Sequence, residues 1–113
     1  MDVIAEIAAE RARQTEAEGH TTETDDAWTG GELARAAAVY AAQAATDKAH
    51  ALGLQRKALG VAPAGWPFAA PLTPGVDAPG ATSWNPQTPR RDLIKAAALL
   101  VAEIERRDRA AVA

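Results

Sequence analysis

Apolar residues recur three and four positions apart in three stretches of the chain, and polar or proline-rich sequence separates those stretches. In "MDVIAEIAAERARQTEAEG", Val3, Ile4, Ile7, Ala8 and Ala12 fall at helical spacing, with Glu6, Glu10, Arg13 and Glu16 elsewhere on the wheel. This predicts a helix over 2–18, with Asp2 as its N-cap and Gly19 just past its end. "HTTETDDAWTGG" is polar, ends in glycine and reads as a connection. A second helix is predicted to start at Thr29, which makes a capping box with Glu32 three residues later. Its stripe is Leu33, Ala36, Ala37, Tyr40, Ala41 and Ala44, and Gly53 is its expected stop. The third helix opens at "TPRRDLIKAAALLVAEIERRDR", with Thr88 as N-cap and Pro89 in the first helical position. Its apolar residues are Leu93, Ala96, Ala97, Leu100, Val101 and Ile104.

Periodicity is absent from 60–87. All seven prolines lie between Pro63 and Pro89, so this segment is neither helix interior nor central strand. Two of the three tryptophans, Trp66 and Trp84, fall within it. A loop this long in a compact domain is functional or disordered, and its tryptophans favour function. The expected architecture is all-α, a three-helix bundle with a long Pro/Trp-rich loop between the second and third helices. A single helical domain over 1–113 accounts for the whole length.

Composition changes this picture in two ways. Of the residues, 48% are hydrophobic, but alanine supplies much of that fraction and large apolar side chains are scarce. The core should be thin, and association into a homo-oligomer is a common way to supplement one. The formal net charge of −3 argues against a long nucleic acid as partner. Cysteine is absent, which removes disulfides, thiolate zinc sites and cysteine nucleophiles. The first residues are acidic and amphipathic, unlike a secretory signal, and no apolar run approaches the roughly 20 residues of a membrane span. A soluble cytoplasmic protein with no membrane partner is expected.

The candidate chemistry centres on the loop and the start of the third helix. Trp66, Phe68, Trp84 and Trp28 offer flat faces for nucleobases. Arg90 and Arg91 occupy the first turn of the last helix, where the helix dipole already favours an anion. Cationic side chains oppose that dipole, so they need a reason to be there, and a phosphate would be one. Lys95 extends the cationic set, and Arg11, Arg13 and Gln14 reach the same place from the first helix. In the purely structural alternative the tryptophans close the core and the arginines pair with Asp92, Glu32 or Asp26. Tyr40, inside the alanine stripe, reads as a core aromatic with its hydroxyl satisfied.

Carboxylates suggest a second chemistry. Glu6 and Glu10 are four apart, Glu105 and Asp108 three apart, and Asp25 and Asp26 lie between the pairs. Mg²⁺ takes several hard oxygens, so helically spaced carboxylates are its natural ligands. The arrangement is similar to that of the all-α pyrophosphohydrolases of the MazG type, although the doubled E-x-x-E and E-x-x-D pattern is incomplete. That resemblance implies Mg-dependent hydrolysis of a nucleoside triphosphate, with Glu6, Glu10, Asp25 and Asp26 as metal ligands. His20 and His50 lack the partners a transition-metal site needs. The "TGGE" glycines fit a helix start rather than a phosphate loop, and Ser83 has no readable triad.

The motifs E-R-A-R-Q, D-D before E-L-A-R-A-A-A-V-Y-A, W-P, and R-R-D-L ahead of A-E-I-E-R span nearly the whole chain. Together they resemble a group of small proteins from phages and prophages. His20 stands where that pattern has a tryptophan, and Phe68 where it has the second tryptophan of W-P-W. The resemblance implies a role in nucleotide metabolism or in evading host immunity. The expectation it supports is a nucleotide-binding sponge that sequesters a nucleotide-derived immune signal without cleaving it and without a cofactor. The other readings are the hydrolase and a protein that binds and inhibits a host factor.

Overall fold

The computed structural model of the protein describes residues 2–18, 21–68 and 83–112. Among them five helices form and no strand: α1 (Val3–Glu18), α2 (Thr22–Ala27), α3 (Glu32–Ala44), α4 (Asp47–Ala58) and α5 (Pro89–Val112). The all-α class is as expected. The three-helix detail is not, because the connection contains a helix and the second helix is broken in two.

Each departure has a local cause. In α2 the Thr21 hydroxyl accepts from Thr24 N at 3.3 Å, a cap that starts a six-residue helix without apolar periodicity. The predicted Thr29 capping box does not form. Gly31, at φ 83°, is the N-cap of α3 and makes no side-chain cap hydrogen bond. The break between α3 and α4 comes at Thr46, whose extended backbone and hydroxyl, accepting from Ala49 N at 3.0 Å, start a new helix. Gly53 is therefore an interior residue of α4. That helix stops instead at Gly60 (φ 73°), where Gly60 N donates to Lys57 O and Val61 N to Arg56 O, the paired bonds of a Schellman motif. The ends of α1 and α5 follow expectation. Asp2 Oδ1 accepts from Ala5 N at 2.9 Å, and Thr88 Oγ1 from Arg91 N at 3.1 Å. Gly19 and His20 lie outside the described residues.

The core lies between α3 and α5. Leu33, Ala36, Ala37 and Tyr40 meet Ala96, Leu99 and Ala102, and small side chains on both sides allow close approach. Trp66 and Trp84 complete the same cluster. The apolar residues predicted for α1 do not point inward: Val3, Ile4, Ala8 and Ala12 are exposed, while Glu10 and Gln14 are buried. Much of the predicted face of α5 is likewise exposed, including Leu93, Leu100, Val101 and Ile104. The buried face of α5 carries Ile94, Ala96, Ala98, Leu99 and Ala102, with Asp92, Lys95 and Glu103 among them. Alanines and leucines surround α5 on nearly every side, so periodicity alone did not decide which side would be covered.

Candidate functional site

Apart from Arg11, which pairs with Asp25, the predicted site residues gather in two places, one aromatic and one charged. The aromatic place is the core itself. Trp84 is 1% exposed, its ring centroid 4.9 Å from that of Tyr40 and 5.3 Å from that of Trp66. Tyr40 and Trp66 meet edge to face at 5.4 Å, and Phe68 bridges Trp66 (5.6 Å) to Trp28 (5.0 Å). The two buried indoles also find acceptors: Trp84 Nε1 donates to Gly53 O at 3.0 Å, and Trp66 Nε1 to Ser83 Oγ at 3.1 Å. Neither Trp66 nor Trp84 presents an open ring face to a ligand. Trp28 and Phe68 are only partly buried.

Gly53 explains how α4 comes so close. A Cβ there would sit 3.2 Å from Trp84 Cζ2 and 3.1 Å from Gln43 Oε1. Tyr40 also holds the segment entering α5, since Asn85 N donates to its hydroxyl at 3.3 Å.

The charged place is the contact between α1 and the first turns of α5. Arg90 grips Glu6 with Nη1 and Nη2, both at 2.7 Å. Glu10 is fully buried and accepts from two arginines: Arg13 Nε at 2.5 and 3.0 Å, and Arg91 Nη2 at 2.8 and 3.1 Å. Gln14 Nε2 reaches Lys95 O at 3.5 Å. Lys95 is buried, donates to Asn85 O at 2.8 Å and lies 5.4 Å from the Tyr40 ring centroid, so it links the charged place to the aromatic one. The structure thus supplies the partner that cations on a helix N-terminus need, and it is α1. Those partners are Glu6 and Glu10, not Asp92, Glu32 or Asp26. The hydrogen bonds from Arg90 hold the Glu6 carboxyl below its usual range.

The carboxylates of the magnesium reading do not converge. Asp25 is buried against Arg11 Nη2 at 2.6 Å, and Arg11 Nε lies 3.5 Å from Glu105. Asp26 takes Arg109 Nη2 at 2.7 Å. Each of Glu6, Glu10, Asp25 and Asp26 therefore holds an arginine. Among the described residues no three histidines, aspartates or glutamates gather around a point where a metal ion would sit. A shallow pocket of about 250 Å³ opens between α2 and α5, lined by Asp26, Thr29, Arg106, Arg109 and Ala110. It is separate from the Arg90–Arg91 turn.

Sequence reasoning missed the buried Glu103 and offered Asp92 only as a partner for arginines. Glu103 is buried with Arg106 Nε at 2.5 Å, and that hydrogen bond lowers its pKa. Asp92 is buried, accepts from Gln87 N at 2.8 Å and lies 3.7 Å from His50 Nδ1. Only its place in the first turn of a helix, beside two arginines, marked it in the sequence.

Burial raises the Asp92 pKa above 3.8. Because the folded value lies above the unfolded one, its favourable contribution is complete below about pH 3.8 and is lost as pH rises through the folded value. Asp92→Asn keeps an oxygen for Gln87 N and never ionises. Its urea midpoint should match the parent in the most acidic range and exceed it near neutrality. A midpoint below the parent at neutral pH would show that the ionised form is stabilising.

No protein-family model matches the chain, and no curated protein or solved structure matches it either.

Proposed function

We propose that the protein binds a small phosphorylated ligand of the nucleotide type and holds it without turnover. The observation that supports this reading is the convergence of arginines at the first turn of α5. Three guanidinium groups, Arg13, Arg90 and Arg91, converge on two carboxylates, Glu6 and Glu10, in a chain of net charge −3. The side chains of Arg13 and Arg91 remain 39% and 34% exposed, so both can be reached from solvent. Each guanidinium carries five N–H donors, and a phosphate takes them in pairs. The α5 dipole adds to the attraction. Lys95 and Gln14 lie at the inner end of the strip.

The arginines on Glu6, Glu10, Asp25 and Asp26 support holding the ligand rather than cleaving it. A magnesium ion at any of them would have to displace a guanidinium. In a phage, as the family resemblance suggests, retention of a nucleotide-derived signal would blunt host defence from within the host cytoplasm.

The test is native mass spectrometry of protein purified from cells, followed by calorimetric titration with ATP and ADP-ribose. Arg91→Ala should weaken binding about 10- to 150-fold, the loss of a charge-assisted contact of roughly 1.5–3 kcal/mol. The recovered nucleotide should be chemically unchanged after incubation with Mg²⁺. Pyrophosphate release that Glu10→Gln abolishes would replace this reading with the hydrolase, and failure of every nucleotide tried to bind would remove it.

A further inference from the structure

We propose that two copies of the chain pair through α5, antiparallel about a two-fold axis that passes near the level of Leu99. Leu93, Leu100, Val101 and Ile104 are exposed, and Ala97 between them is only half-buried. At 3.6 residues per turn these five side chains fall within an arc of about 100°, as wide as the stripe by which a helix faces a core. Nothing among the described residues covers them. An apolar line of this kind on a chain with so thin a core is an interface in search of a partner.

The charges at its two ends identify that partner as a second copy. Arg90 and Asp108 are 18 residues apart, about five whole turns, so they stand on one line at opposite ends of the stripe. Their midpoint is position 99, which is also the mean position of the five apolar residues. A two-fold axis there brings Arg90 of each copy to Asp108 of the other, and the apolar residues of each onto those of its mate. A parallel pairing sets arginine against arginine and aspartate against aspartate. Self-complementarity under a two-fold is what an isologous interface requires.

Both end groups are available. The Arg90 side chain is 64% exposed even with Glu6 on it, and that pair uses two of its five donors. Asp108 is exposed and makes no ion pair or hydrogen bond among the described residues. Arg13 and Arg91 lie off this stripe, so ligand binding and pairing can fail separately.

The absence of cysteine makes disulfide trapping a clean test. Leu100→Cys should crosslink to itself on mild oxidation, because antiparallel pairing leaves the two positions about 3 Å apart along the axis. Leu93→Cys should not, its two copies being about 18 Å apart along the same axis. An equal mixture of Leu93→Cys and Ile104→Cys should give the mixed dimer. All three positions are exposed, so the fold is retained. Asp108→Arg should weaken dimerisation of the otherwise unchanged chain about tenfold in sedimentation velocity, as two attractions become repulsions. Self-crosslinking of Leu93→Cys, no crosslinking of Leu100→Cys, or a parent chain that sediments as a monomer into the millimolar range would each overturn the proposal.

Discussion

Trp84→Ala should cost about 3–5 kcal/mol of folding free energy, the range for deleting a buried aromatic. The reasons are specific to this position. The ring is nearly inaccessible and lies against Tyr40 and Trp66 on one side and the bare backbone of Gly53 on the other. Its removal empties a cavity that alanine-rich neighbours cannot refill, and Gly53 O loses the indole N–H donor. A domain of this size has about 5–15 kcal/mol in all, so the thermal midpoint should fall sharply or the cooperative transition should disappear. Trp66→Ala should follow in the same direction, since that ring touches the same cluster at its rim. Gly53→Ala approaches the identical contact from outside: its Cβ would press on Trp84 Cζ2 and Gln43 Oε1, and overpacking of this kind costs about 1–3 kcal/mol. Circular dichroism melts of the three variants check the set. A Trp84→Ala protein that melts with the parent would mean the ring is not part of the core.

The starts of α1 and α5 were legible in the sequence, whereas the Thr29 capping box and the Gly53 stop were not borne out. Asp2, Thr88 and Pro89 do what their chemistry predicts, because a cap is a contact within four residues. Thr46 was equally legible in principle. It precedes an aspartate and breaks an alanine run, yet alanine propensity on both sides made the run read as one helix. The α3 stripe was readable because its largest side chains, Leu33 and Tyr40, both face inward, although the outer side carries Ala38 and Ala42. For α1 and α5 the pattern misled, because apolarity did not determine the inward side. Glu10 and Gln14 face α5 since a buried carboxylate with two arginines is satisfied there. Leu93 and Ile104 face out since Leu99 and Ala102 already fill the space against α3. The site was legible as a list of residue types and not as an arrangement. The arginines of α5 and those of α1 do meet, but only a fold brings residues some 80 positions apart onto one carboxylate.

That carboxylate decides whether the arginine strip is architecture alone or also a receptor. Glu10→Gln keeps the side chain's volume and removes its charge, leaving Arg13 and Arg91 facing a neutral amide. Breaking a fully buried pair this way costs roughly 3–5 kcal/mol. Here both arginines are more than a third exposed or close to it and regain water, so the loss should be about 2–3 kcal/mol, the worth of the charged hydrogen bonds themselves. The same change removes one negative charge from beside Arg13 and Arg91. A site built for phosphate should then bind it more tightly, and binding to the folded state alone raises stability by mass action. Inorganic phosphate should therefore recover more of the midpoint in Glu10→Gln than it adds to the parent, whereas the same ionic strength of chloride should recover little. Chemical denaturation of both proteins, in phosphate and in chloride, reads the two effects together. A loss near 2–3 kcal/mol that phosphate and chloride restore equally would leave Glu10 as the tie between α1 and α5 and nothing more.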